Sequence, residues 1–287
     1  MLSAMNTRIP VLLLLFSPGL AFAQGTARAQ VGVCVDPDRF DAAQAAGFDY
    51  VETNASKVAA LTEEEFVKLA AQVAQLRIPL AASMSFIPGA IKLTGPDVDP
   101  ARQMAYVTTT LGRLKRLGVK VVVLGSGGAR RVPDGFSKDE AVNQLVDFCR
   151  RIAPVARENG ITVVIEPLRK QETNIINTAR EGLALVKAVD RPEIRLLVDY
   201  YHLTEEGEIP DVISEAGPLL AHAHIANPKG RVYPLSPDES PYSGFFSNLC
   251  KIGYQGRLSV EASTTDFATQ APQAIALLRN ARACGGK

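Results

Sequence analysis

The chain has 287 residues, 47% of them apolar and 21% charged, which is the make-up of a globular protein with a large core and excludes a disordered one. Its formal net charge of +1 leaves no basic excess, so a surface for nucleic acid or anionic lipid is not expected. The length suits two ordinary domains or one α/β barrel of about 250 residues.

The first residues read as an export signal. Arg8 precedes the apolar run Val11–Phe16, and Ala21-Phe22-Ala23 forms an A-x-A cleavage pattern after Ser17-Pro18-Gly19. The run is too short to span a bilayer, and nothing later is apolar for long enough to anchor in one. A misassigned start codon or a short apolar extension under the barrel is the alternative. Residues 1–23 are thus expected to be a signal peptide, 24–30 a short leader and 31–287 the folded domain. The mature protein is then periplasmic or secreted; without cleavage it is cytoplasmic.

From Val31 onward short β-branched runs alternate with longer amphipathic ones. The predicted strands are Val31–Val35, Phe48–Glu52, Pro79–Ser83, Lys120–Leu124, Ile161–Ile165, Ile194–Val198, Ala221–Ile225 and Arg257–Val260. Between them, Thr62 followed by Glu63, Glu64 and Glu65 marks a helix start with an acidic first turn, running to about Gln75. Ala101–Leu117 reads as a helix closed by Gly118. Ser137 and Glu140 have capping-box spacing for a helix to about Glu158. Thr178–Val189, a weak segment Ile209–Ala216, Pro241–Ile252 and Phe267–Ala283 complete the helices. No G-x-G-x-x-G turn follows the first strand, as an open dinucleotide-binding sheet would favour. The alternation predicts a single closed (β/α)8 barrel, a TIM barrel, with no second domain. Cys34, Cys149, Cys250 and Cys284 form no C-x-x-C pair and read as buried free thiols.

Barrel enzymes place their chemistry where strands end. Strand five exits with Glu166, strand six with Asp199, and strand eight with Glu261; strand seven carries His222 and His224. An unpaired charge near a core is costly, so four adjacent strands delivering charged or imidazole groups to one rim point to a shared divalent ion. Glu166, Asp199, His224 and Glu261 make a mostly oxygen site, suited to Mn²⁺, Co²⁺ or Mg²⁺ with open coordination. His222 faces the same side as His224 but one layer deeper, which fits a supporting role. Glu52 ends the second predicted strand and faces either the pocket or a basic neighbour. Gly125-Ser126-Gly127-Gly128, followed by Arg130 and Arg131, reads as a tight turn needing positive φ, with a phosphate cradle as the alternative. Residues 83–89 form a long loop over the rim that could shape substrate choice.

Several of these pieces occur together in one known family. Glu166-Pro167-Leu168 with Glu172 six residues after Glu166, Asp199 with His202 as D-x-x-H, His222 with His224 as H-x-H, and Glu261 form one combination. In it the chain, from about residue 31 onward, resembles the xylose-isomerase-like TIM-barrel superfamily of sugar phosphate isomerases and epimerases, especially its ketose 3-epimerase and hydroxypyruvate-isomerase-like branches. The resemblance implies that Glu166 and Glu261, besides ligating the ion, exchange a proton with the carbon next to a carbonyl, through an enediolate. It implies that Glu172 and His202 bind substrate oxygens. The family arginine that steadies the substrate usually follows the metal histidine by six residues; Arg231 follows His224 by seven, with Lys229 as a substitute.

The resulting expectation is a metal-dependent isomerase or epimerase of a small carbohydrate or hydroxy-keto acid. The partner is that small molecule, with no nucleic acid and no membrane, and a homo-oligomer is left open. A lyase or dehydratase on a keto-sugar would use the same centre, and a non-catalytic sugar-binding barrel is a further alternative. An apurinic endonuclease of this fold needs three metals and histidines on earlier strands, whereas the three histidines here sit on strands six and seven or directly after them.

Overall fold

The computed structural model describes residues 29–281, so the expected signal peptide and Cys284 lie outside the described residues. Strand β1 (Gln30–Cys34) leads through a 3-10 turn (Pro37–Arg39) to α1 (Phe40–Ala46) and β2 (Tyr50–Asn54). Helices α2 (Ala55–Ala60) and α3 (Glu63–Gln75) precede β3 (Leu80–Met84), and α4 (Pro100–Arg116) precedes β4 (Val121–Leu124). Then come α5 (Gly127–Arg130), α6 (Lys138–Asn159), β5 (Thr162–Ile165), α7 (Ala179–Val189) and β6 (Ile194–Asp199). Helices α8 (Tyr200–Glu205) and α9 (Val212–Ala216) lead to β7 (Leu220–Ile225), and α10 (Tyr242–Lys251), β8 (Arg257–Val260) and α11 (Phe267–Ala281) end the described chain.

The strands pair in parallel in sequence order, and β1 closes on β8, as the alternating pattern predicts for a TIM barrel. Strands buried on both faces read as continuous apolar runs, of which Val121–Leu124 is the clearest. Their side chains divide by parity. Val122, Leu124, Val163, Ile165, Leu196 and Val198 join the layer packed under the helices, whereas Val121, Val123, Val164 and Leu197 fill the barrel interior with Tyr50 and Ala82. In the outer layer Phe40, Phe66, Phe148 and Phe245 are fully buried, each worth about 1.5–3 kcal/mol of transfer free energy.

Helix boundaries follow their caps. Thr62 and Glu65 form a full capping box at α3, and Thr178 and Glu181 form another at α7. At α6 only half of the expected box forms: Ser137 accepts from the Glu140 amide at 3.3 Å. Gly118, with φ of +88°, turns the chain out of α4 as expected. The short helices α1, α2, α5 and α8 arise where no helix is predicted. The longest of them, α1, has seven residues, too few to establish a 3.6-residue period. Strand β2 begins at Tyr50, not Phe48, so Glu52 lies inside the strand and not at its end.

Cys149 is a buried free thiol, as expected; Cys34 is free but only half-buried, and Cys250 is disulfide-bonded. Wide sequence spacing excludes a local pair and says nothing of a bond closed through the fold. No helix among the described residues is long and apolar enough to cross a membrane.

Candidate metal centre

Interior parity carries the candidate ligands to one place. Glu166 continues the Val164 side of β5, Asp199 continues the Leu197 side of β6, and Glu261 follows Ser259 off β8. A register shift between Leu196 and Leu197 sets Asp199 directly opposite His224 on β7. His224 Nδ1 lies 3.2 Å from Glu166 Oε1 and 3.3 Å from Glu261 Oε2. Ligand atoms of Glu166, Asp199, His224 and Glu261 all fall within 4.8 Å of one another. Asp199 also caps α8: its Oδ1 accepts from the Tyr201 amide at 2.9 Å. Its Oδ2 is buried without a hydrogen-bond partner among the described residues.

The electrostatics are those of crowded carboxylates. Burial, then the charges of Glu261 and Glu166, pushes the Asp199 carboxyl up to about 7. Burial and Glu261 also raise Glu166. Burial works on Glu261 in the same direction, but the His224 hydrogen bond and the charges of His224 and Arg231 outweigh it and bring the carboxyl down to about 2. Three carboxylates, one imidazole and an orphaned buried oxygen are a donor set that fits a divalent cation with a preference for oxygen.

The rim supplies polar groups around this cluster. Arg231 Nη2 is 2.6 Å from Glu261 Oε2 and 3.8 Å from Asp199 Oδ2, and its Nη1 is 3.3 Å from Glu172 Oε1. Lys229, the substitute, is exposed. The loop after His224 makes a tight return. Gly230 and Arg231 take φ of +89° and +49°, and Asn227 and Val232 exchange backbone hydrogen bonds across the loop. Glu172 accepts from Arg169 Nε at 3.0 Å. His202 is buried, and burial followed by the charge of Arg231 pushes it down to about 3, so the ring is neutral. Its Nδ1 accepts from the Arg169 amide at 3.2 Å. The proton therefore sits on Nε2, 3.6 Å from Asp199 Oδ2.

A cavity of about 370 Å³ opens over the cluster, lined by Ser85, Gly125, Glu166, Glu172, Arg231 and Glu261 among others. Ile87 and Pro88 also line it, so the loop expected over the rim does form one wall. The glycine-rich turn after β4 departs from its expected reason. Positive φ falls on Ser126, at +44°, and not on Gly125, Gly127 or Gly128. At Gly125 the reason is space instead: a methyl group there would overlap Glu166 Oε2, so the carboxylate would have to shift. Gly125→Ala is therefore expected to displace the Glu166 carboxylate and, if that carboxylate is a reacting group, to lose about 10²-fold in turnover, the scale of a small misplacement. Steady-state kinetics checks this, with circular dichroism to show that the barrel is intact.

The pattern shared by xylose isomerase-like TIM barrels matches residues 40–281. The chain belongs to the xylose isomerase-like TIM barrel family. It is similar to L-ribulose 3-epimerase of Methylomonas sp. (strain DH-1), 29% identical over 228 residues that cover 77% of this chain and 76% of that one. It is similar also to the putative hydroxypyruvate isomerase of Homo sapiens, 28% identical over 238 residues, 78% of this chain and 83% of that one. Among solved structures, D-psicose 3-epimerase in the presence of D-fructose shares the fold with a TM-score of 0.79, at 22% identity over 90% of this chain and 100% of that one. The protein is an enzyme of this family.

Every residue that sequence reasoning assigned to the site of this xylose isomerase-like barrel lies at the one rim: Glu166, Glu172, Asp199, His202, His224, Arg231 and Glu261. It missed Arg169 and Tyr201. Both guanidinium groups lie against the Tyr201 ring, Arg169 at 5.1 Å and Arg231 at 4.7 Å from its centroid. No spacing rule marks an arginine three residues past a strand exit or a tyrosine inside a D-x-x-H motif. His222 faces the same side as His224, one layer deeper, and of the two readings for Glu52 the one that holds is pairing with a basic group: His222 Nε2 is 2.9 Å from Glu52 Oε2.

Proposed function

We propose that the protein is a divalent-metal-dependent epimerase or isomerase of a small carbohydrate or hydroxy-keto acid, with Mn²⁺, Co²⁺ or Mg²⁺ held by Glu166, Asp199, His224 and Glu261. The observation that carries this is that Glu166 and Glu261 line one cavity and both reach His224 Nδ1, leaving two carboxylates facing the space where substrate would sit. The chemistry supplied by such an ion is polarisation of a carbonyl beside the carbon that gives up its proton.

The remaining work falls to side chains. One of Glu166 and Glu261 takes the proton from the carbon next to the carbonyl, and the electron pair left behind forms the enediolate. The other returns a proton to the opposite face of the same carbon, which inverts it, or to the neighbouring carbon, which moves the carbonyl once the hydroxyl proton has passed from one enediolate oxygen to the other. His202, with its proton on Nε2, donates to a substrate oxygen, and Glu172 and Arg231 hold hydroxyl groups at the rim. The epimerase and isomerase names carried by L-ribulose 3-epimerase and the putative hydroxypyruvate isomerase support this class of reaction.

Incubation of ion-loaded protein in D₂O with a panel of ketoses, hydroxypyruvate and 3-keto glycosides tests the reading. Deuterium at the carbon beside the carbonyl is the expected result. No exchange with any member of the panel, in protein shown to carry its ion, would overturn it.

Export of the protein is proposed on two observations: the leader pattern ending at Ala23, and the disulfide at Cys250, a bond that persists in oxidising compartments. The mature N-terminus is expected near Gln24. N-terminal sequencing that finds Met1 or Met5 retained on cytoplasmic protein would sink this placement.

A further inference from the structure

Beneath the candidate centre lies a second polar layer, where barrels ordinarily hold apolar side chains. Glu52 of β2 is completely buried. Its carboxylate meets His222 Nε2 at 2.9 Å, His224 Nε2 at 3.3 Å, and the Ser259 hydroxyl, which donates at 2.6 Å. The Tyr50 hydroxyl is 2.7 Å from Ser259 Oγ and donates to it, since the Ser259 proton is already committed to Glu52. The Tyr50 ring fits beneath only because position 32 is glycine: a Cβ at Gly32 would overlap it.

A buried carboxylate is tolerated when donors surround it. Among the described residues its ion-pair partners are the two imidazoles, so each must present an N–H from Nε2. A neutral ring protonated on Nε2 carries its lone pair on Nδ1. In His222 that atom is buried and without a partner among the described residues, the cheaper atom to leave unpaired. In His224 it faces Glu166 and Glu261 at 3.2 and 3.3 Å. Nδ1 can meet those carboxylate oxygens in two ways: by donating a proton to them, or, with a cation between, by giving its lone pair to the cation.

We propose that Glu52 is a positioning residue for the metal centre. Its carboxylate holds His224 as the Nε2–H tautomer, so that Nδ1 offers its lone pair to the ion, and His222, Ser259 and Tyr50 hold the carboxylate in place. This rests on the reading of His224 as a ligand. The arrangement has one competitor on the same atoms. Ligand atoms of Cys34, Glu52 and His224 also lie within 4.8 Å of one another, and a second, softer cation there would replace the hydrogen bond.

The test compares wild-type protein with Glu52→Gln and Ser259→Ala in Mn²⁺ titrations followed by electron paramagnetic resonance. With the glutamine carbonyl oxygen in the Oε2 place, where His222 and Ser259 donate, its NH₂ takes the Oε1 place and faces His224 Nε2. His224 answers that donor by turning Nε2 into an acceptor and carrying its proton on Nδ1. Glu52→Gln is expected to bind Mn²⁺ about 10–100-fold more weakly than wild type, and Ser259→Ala, which removes one donor and no charge, to be affected less. In Mg²⁺-loaded wild type, two-bond ¹H–¹⁵N spectra of the 3 histidines should show Nε2–H at both His222 and His224. Wild type that binds no ion overturns the metal centre and this assignment with it. If wild type binds one ion and folded Glu52→Gln binds within about twofold of it, only the Glu52 assignment falls. Two ions per chain, with the second lost in Cys34→Ser, would place a cation between Cys34, Glu52 and His224 and overturn the hydrogen bond. Should Glu52→Gln fail to fold, the wild-type spectrum decides: Nδ1–H at either His222 or His224 refutes the proposal.

Discussion

Glu166→Gln and Glu261→Gln are each expected to lose about 10²-fold or more in turnover, the usual scale for a general acid or base. Glutamine keeps the shape of the side chain and one ligating oxygen but cannot accept the proton. The two variants should differ in what else they lose. Glu261 Oε2 is held by Arg231 at 2.6 Å as well as lying near His224, so Glu261→Gln also releases the Arg231 guanidinium from its partner. That variant should raise KM along with lowering kcat. Glu166 has no arginine within ion-pair distance among the described residues, and Glu166→Gln should act chiefly on kcat. Ion content must be measured in the same preparations. Near-normal turnover in both ion-loaded variants would move the proton transfer to another group, with Glu172 and His202 next to be tested.

Removal of the divalent ion is expected to abolish turnover and to lower the unfolding temperature. Without a cation, Glu166, Asp199 and Glu261 crowd within 4.8 Å around one imidazole, and Asp199 Oδ2 is buried without a hydrogen-bond partner among the described residues. A ligand at a hundred times its Kd stabilises the folded state by about 2.7 kcal/mol, which for a domain of this size corresponds to roughly 5–10 °C. Differential scanning calorimetry of chelator-treated protein, before and after addition of Mn²⁺, Co²⁺ or Mg²⁺, checks both the shift and which ion gives the largest one. An unfolding temperature that does not respond to any of these ions, together with full activity in chelator, would remove the metal from the mechanism. A double variant, Asp199→Asn with Glu261→Gln, should unfold at the same temperature with and without the ion, because two of the three carboxylates have lost their charge.

The sequence by itself determined the barrel and the identity of the rim residues. Eight β-branched runs separated by helical periods have few ways to bury both faces of every strand, and closure is the one that leaves no edge. Strand parity then decides which way Glu166, Asp199, His224 and Glu261 point, because a period of two fixes a side once the interior is known. Arg231 was legible by type but not by spacing. The left-handed turn at Gly230 and Arg231 carries the guanidinium to Glu261.

Tertiary structure alone decided whatever depends on strands distant in sequence. Glu52 and Ser259 are 207 residues apart, and no local pattern links them; they meet because β1 closes the sheet onto β8 while pairing with β2 on its other edge. The reason for Gly125 was hidden in the same way. A glycine after a strand suggests a turn by its own conformational freedom, yet here it makes room for a carboxylate arriving from the neighbouring strand. The disulfide at Cys250 also escaped a reading by spacing. Local periodicity reports which face of an element is buried; which groups share that buried space is set by the closure of the barrel.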